Sequence, residues 1–315
     1  MHPAFSVIFF TVASGTGYGL LFLFAVLGGT GLLPVQKIFG LFGIGAGLAL
    51  VTFGLLSSTY HLGHRERALG ALSQWRTSWL SREGVVAAAA YIPALLYLYV
   101  WFYVGRDAAT FELWAVLLGV LALLTVYCTA MIYKSLATIH QWHNQWTTPV
   151  YLTMALAGGS VILVALMGVF AIENATATYC ATGTLILAWV VKNRYWKFID
   201  ATAHKSTPES ATGLGNFGRV RMLDGPHTEE NYLLTEMGFR VARKHTAKLR
   251  RHAQIFGFAF PIALIMTAAL QSSTLATAAL VAAAVSFLTG AVIERWLFFA
   301  EAKHTVTLYY GADRV

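Results

Sequence analysis

Apolar runs about as long as a membrane-crossing helix recur along this 315-residue chain, and they restrict its fold more than any other feature. A hydrocarbon core roughly 30 Å thick needs about 20 mostly apolar residues in helical form, because lipid offers no partner for a bare backbone amide. Runs of that kind occupy about 5–33, 37–60, 85–104, 112–133, 148–172, 178–192, 253–272 and 275–298. The sixth is the shortest and is required mainly by the topology. Only 11% of residues are charged, against roughly 25% in soluble domains. The expected fold is an all-α integral membrane protein, a bundle of eight transmembrane helices with one sizeable cytoplasmic insert. Residues 1–192 would hold the first six spans, 193–252 the insert, and 253–315 the last two spans and a tail.

The first run starts at Phe5 with no basic segment before it and no small-residue cleavage site after a short core, so it is expected to stay as a span. Cys128 and Cys180 stand alone in apolar runs and read as packing residues, forming neither a metal pair nor a disulfide framework. The net charge of +8 is unevenly placed. With eight spans, the side bearing the N-terminus receives all but two of the 22 Lys and Arg, the exceptions being Lys37 and Arg106. The bias survives when the long 193–252 segment is discounted, so this side is read as cytoplasmic. Such a distribution points to membrane topology and away from nucleic acid.

"ASGTGYG" has the glycines of a phosphate loop but follows no strand, so Gly15, Gly17 and Gly19, like Gly43, Gly45 and Gly47, read as helix-packing residues. Pro93, Pro149 and Pro261 fall within spans or at their starts, and Trp and Tyr gather near span ends. No ionisable residue falls near the middle of a span: Glu112, Glu173, Glu294 and Arg295 are all near ends. A stand-alone transporter, which usually carries charge at depth and matched interrupted helices, is thereby disfavoured but kept as another class. In the insert, "GRVRML" suggests a short strand and Thr228 a helix N-cap. The basic stretch Arg240–Arg251 suits either anionic lipid or a soluble partner.

The densest chemistry lies in the 61–84 link, "HLGHRERALGALSQWRTSWLSREG". His61 closes the second span and Glu83 opens the third, and Trp75 and Trp79 would share one face of a helical link. One reading is an ordinary positive-inside loop. The other is a quinone site: a histidine donates a hydrogen bond to a ring carbonyl, a carboxylate at the lipid edge relays protons, and Arg76 or Arg82 balances developing negative charge.

Here the chain resembles the membrane-anchor subunits of dimethyl sulfoxide reductase-like molybdoenzymes. The likeness is carried by His61-Leu62-Gly63, Arg67-Ala68-Leu69 and the "WLSREG" run through Glu83, with support from "MHPAFSVIFFTVASGTGYGLLF" and "ERWLFFAEAKHTV". That resemblance implies a quinone-reactive role for His61 and the region of Glu83. It also implies partner subunits that carry the molybdopterin and iron–sulfur clusters. The cytoplasmic placement of the link and the 193–252 insert resemble the branch serving the cytoplasmic sulfite-oxidising enzyme.

On this reading His61, Glu83, Arg76 and Arg82 form the reactive set, with Tyr60, His64, Arg67, Trp75, Trp79, His140 and His143 as candidate pocket walls. "IHQWHNQW" is equally an interfacial aromatic loop. Haem is not expected, although ligation by His61 with His140 or His143 stays open, and no other metal is expected. The cofactor is ubiquinone or menaquinone. The iron–sulfur and molybdopterin subunits would dock on the cytoplasmic face of a bacterial inner membrane, with both termini of this chain on that side. Electron flow in the opposite direction, from quinol into a reductase, uses the same residues.

Overall fold

Six helices are long and apolar enough to cross a membrane in the computed structural model, which describes residues 4–60, 70, 72–202, 206–226, 241–270 and 274–312. They are α1 (Phe5–Gly29), α2 (Lys37–Thr59), α3 (Trp79–Tyr103), α4 (Phe111–Lys134), α5 (Thr147–Val169) and, last in the chain, α9 (Thr274–Ala300). The two other expected spans are helical but of different character. Helix α6 (Ala175–Ala201) continues nine residues past the predicted end at 192, and its second half carries Lys192, Asn193, Arg194, Lys197 and Asp200. The next is built in pieces: α7 (Val241–Gln254), a π-helical turn (Ile255–Ala259) and α8 (Phe260–Ala268). Pro261 lacks an amide and its ring crowds the preceding turn, which accounts for the widened turn just before it.

The described residues contain no strand, only an isolated bridge between Ile139 and His304. The expected strand at "GRVRML" is therefore corrected. Nothing pairs with it, and the Val220 amide instead donates to the Glu209 carboxylate at 3.1 Å within an exposed loop. Thr228, the expected N-cap, lies outside the described residues.

Helix α1 is the axis of the bundle and packs against α2, α4, α5 and α9. Helices α3 and α4 pair on one flank, and α6, α7 and α8 lie against α5 and α9 on the other. Small residues set the closest approaches. A Cβ added at Gly19 would overlap the Ala155 carbonyl of α5, and one at Gly43 would overlap the Phe24 ring. Gly257 of the π turn meets Gly290 of α9 backbone to backbone. Gly45 differs, since nothing lies within 4 Å of its Cβ position, so it is not a packing glycine. Without a hydrophobic drive inside lipid, such close contact is what holds helices together. Five buried Ser and Thr hydroxyls are satisfied within their own helices: Thr11, Ser14, Thr125, Thr153 and Ser160 donate to carbonyls one turn back.

We expect Gly19→Val to lower the thermal midpoint of the detergent-solubilised protein, consistent with overpacking of about 3 kcal/mol. Gly45→Ala should leave the midpoint where it is, which a thermal melt of the three proteins checks.

Candidate functional site

The first turns of α3 are fixed by their own chemistry. Ser78, in extended conformation, caps the helix by accepting from the Ser81 amide at 3.4 Å. Ahead of it, a 3₁₀ turn (Leu72–Gln74) and a bend replace the single helix that would have put Trp75 and Trp79 on one face. Arg82 stitches this bend together, its Nε donating to the Trp75 carbonyl (2.9 Å) and its Nη2 to that of Arg76 (2.6 Å). Its guanidinium also lies 4.2 Å from the centroid of the Trp79 ring. Arg82 is thus engaged in shaping the link. Arg76 projects outward beside the exposed Trp75.

One residue on, the chain turns inward. Glu83 is 4% exposed, and its carboxylate accepts a hydrogen bond from the Thr129 hydroxyl of α4. Trp79 packs edge-on against Tyr127, also of α4, at 5.9 Å. A carboxylate buried between two helices, next in sequence to the arginine that shapes an exposed aromatic and cationic bend, can hold or pass a proton. Tyr60 is exposed at the C-terminal end of α2, which the 3.0 Å bond from Ser57 to the Ser6 carbonyl holds beside the N-terminal end of α1. His61, His64 and Arg67 lie outside the described residues.

The "IHQWHNQW" loop is occupied otherwise. Trp142 is buried, stacked on Phe298 with ring centroids 5.7 Å apart, and donates to the Phe298 carbonyl at 2.8 Å. Gln141 receives the Tyr195 hydroxyl on its carbonyl (3.0 Å) and the Lys303 amide on its side chain (3.1 Å). His140 Nε2 is 2.7 Å from the Thr202 hydroxyl, and His143 Nδ1 is 2.6 Å from the Lys134 carbonyl. The loop therefore ties the α4–α5 link to the ends of α6 and α9. Among the described residues no group of three His, Cys, Asp or Glu is arranged to hold a metal ion.

A second polar centre was not legible in the sequence. Lys192 of α6 and Arg295 of α9, which the charge tally assigns to the cytoplasmic side, are buried. They converge on Glu294, which pairs with the Lys192 ammonium and accepts from Arg295 Nε (2.5 Å) and Nη2 (3.0 Å). Lys192 also sits over the Tyr195 ring at 4.0 Å, and Arg295 over Tyr151 at 4.2 Å. Towards the surface follows Arg250, joined to Glu301 (2.8 Å) and to the half-exposed Asp200 (2.6 Å). Burial pushes the Glu301 carboxyl up, and the Arg250 guanidinium draws it back. The only sequence signal was adjacency: an acid beside an arginine, a little inside the end of a span.

The model of the DMSO reductase anchor subunit (DmsC) family matches residues 1–311. This chain belongs to that family. It is also 34% identical, over 98% of its length and 99% of the relative's, to a subunit of the sulfite dehydrogenase of Allochromatium vinosum. A multi-pass membrane anchor of a molybdoenzyme is what both comparisons and the six apolar helices support.

Glu294→Gln should strand two buried cations and destabilise the protein by about 3–5 kcal/mol. Lys192→Met leaves a neutral Glu294–Arg295 pair and should cost far less. Chemical or thermal unfolding of the two variants, compared side by side, checks the asymmetry.

Proposed function

We propose that this chain is the membrane-anchor and quinone-reducing subunit of a cytoplasm-facing molybdopterin and iron–sulfur oxidoreductase that oxidises sulfite. The observation that carries the quinone reading is the buried Glu83–Thr129 pair, next in sequence to the arginine that shapes the exposed bend at Trp75 and Arg76. Sulfite as the electron source rests on the whole-length likeness to a sulfite dehydrogenase subunit. Membership of a family of DMSO reductase anchors favours a second reading, in which quinol is oxidised through the same residues.

In the proposed direction, a quinone brings its ring to the link at the lipid edge, where its tail remains in the bilayer. His61 hydrogen-bonds one ring oxygen. Glu83 supplies a proton to the ring and recovers one from the interior. Arg76 offsets negative charge from the exposed side of the bend, and Arg82 positions it by holding the Trp75 and Arg76 carbonyls. Tyr60, Trp75 and Trp79 supply apolar walls. The electrons come from the iron–sulfur partner, and the donor set here fits a hydrogen-bonding quinone better than a metal. Eight crossings, with α6 and the α7–α8 run as the two less apolar spans, put both termini and the link in the cytoplasm of a bacterial inner membrane. The charge bias supports this even without the buried Lys192 and Arg295. The molybdopterin and iron–sulfur subunits dock on that face.

In a complex purified through a tag on this chain, sulfite should reduce a short-chain ubiquinone. Glu83→Gln and His61→Ala should each lower that rate by about 100-fold or more while the complex stays assembled. Full activity in both would overturn the site. Co-purifying partners without sulfite-dependent reduction would overturn sulfite and leave the anchor.

A further inference from the structure

Between α1, α4, α5 and α9 lies a cavity of about 30 Å³ lined by Thr16, Tyr18, Thr129, Tyr151 and Arg295 among others. A water needs roughly 10–15 Å³ by this measure, so the space takes one or two waters and is far too small for a quinone ring. Its walls are unusually needy. The Tyr18 and Tyr151 hydroxyls and Arg295 Nη1 are buried and have no well-formed hydrogen bond, although Thr125 approaches the first and Arg295 the second. Three unmet polar groups facing one small cavity are a site for bound water, since leaving each bare costs about 1–3 kcal/mol.

The position of the cavity gives it a role. At one end Thr129, a wall residue, holds the Glu83 carboxylate. At the other, Arg295 is bonded to Glu294 and, through it, to Lys192. The Trp196 ring bridges outward, with Lys192 Nζ 4.9 Å and Arg250 Cζ 5.4 Å from its centroid. Arg250 then reaches Asp200 at the surface. Charged or titratable groups from the helices around the cavity take part: Tyr18 from α1, Glu83 from α3, Tyr151 from α5, Lys192 from α6, and Glu294 and Arg295 from α9.

We infer that the cavity holds ordered water and is the internal route by which Glu83 is reprotonated, with Tyr18, Tyr151 and Arg295 as the groups that position that water. This rests on the proposed role of Glu83 and adds where its protons come from. Reduction of one quinone takes two electrons, supplied by the iron–sulfur partner, and two protons. When Glu83 gives its carboxyl proton to a ring oxygen, its O–H bond breaks and the ring O–H forms. A proton from bulk solvent, handed from the cavity water to the Thr129 hydroxyl as that hydroxyl gives its own proton to the carboxylate, then restores the acid. The buried salt-bridge cluster fixes the water's far end and sets the field around it. Tyr18, Tyr151 and Arg295 are positioning residues, not catalytic ones.

The test is hydrogen–deuterium exchange of the Glu83 carboxyl C=O infrared band in the intact, non-turning-over complex, the band being identified by its loss in Glu83→Gln. Tyr18→Phe combined with Tyr151→Phe keeps both rings and removes both hydroxyls. Gly15→Val fills the cavity from α1, where the nearest atom to an added Cβ is 4.0 Å away. Both variants should slow exchange roughly tenfold or more and enlarge the solvent isotope effect on quinone reduction, with quinone affinity unchanged. Wild-type exchange in both variants, or no protonated Glu83 band in the parent complex, would overturn the route. If exchange slows as expected but Glu83→Gln still reduces quinone at full rate, the quinone role falls and the hydrated route stands. If exchange is unaffected while Glu83→Gln is inactive, the route alone falls.

Discussion

A buried carboxylate facing two cations is the interaction on which one half of this bundle depends. Glu294 sits about 9 Å inside the end of its helix and is reached by water hardly at all. Lys192 and Arg295 would each be prohibitive there alone, because an isolated charge in low dielectric costs several kcal/mol even after relaxation. Joined through Glu294, they clamp α6 to α9. The aromatic rings of Tyr151, Tyr195 and Phe298 take up the excess positive charge by their π faces. That clamp lets α6, which carries polar residues along its second half, lie against the bundle at all.

The other half is held by proximity instead of charge. Gly19 against Ala155, and Gly43 against Phe24, bring α1 close to α5 and α2. The cavity beside Tyr18 and Arg295 is where the two regimes meet. Helices pressed together by small residues leave a gap, and the gap is lined by the hydroxyls and guanidinium that the charged half directs inward. A wholly apolar void of this size would stay dry, whereas this one has the partners a water requires.

The sequence made some of this legible and hid the rest for identifiable reasons. Length and hydropathy suffice to find α1 to α5 and α9, since those helices are apolar all round and need only be counted. The end of α6 was misplaced because Lys192 and Arg194 look like a membrane boundary, and nothing local reveals that Lys192 has a carboxylate waiting on a helix far along the chain. Glu83 was found because its residue type stands out at the start of an apolar run. Its partner Thr129 was not, being one of two threonines in a largely apolar helix with nothing local to single it out. Arg82 was read by its charge alone. Only the bend in the chain discloses that its donors are spent on the Trp75 and Arg76 carbonyls. Trp142 and its neighbours resembled an interfacial belt, but the ring is buried because Phe298 and Tyr195 come from helices remote in sequence.

The arrangement also bears on how an anchor of this kind keeps electrons and protons apart. On the proposed reading, electrons would reach a quinone at the link from outside the bilayer, across the face where Trp75 and Arg76 are exposed. An acid that was equally exposed there would exchange protons with bulk water at every opening of the site, and the surface of the partner would have to seal it. Glu83 instead turns its carboxylate away from that face, towards Thr129 and the interior. Proton supply from within the bundle, as inferred above, would leave the exposed bend at Trp75 and Arg76 free for protein contact. On that inference the charged cluster around Glu294 would have a reason to be internal that stability alone does not provide, because a well-packed apolar contact between α6 and α9 would hold the helices at least as well.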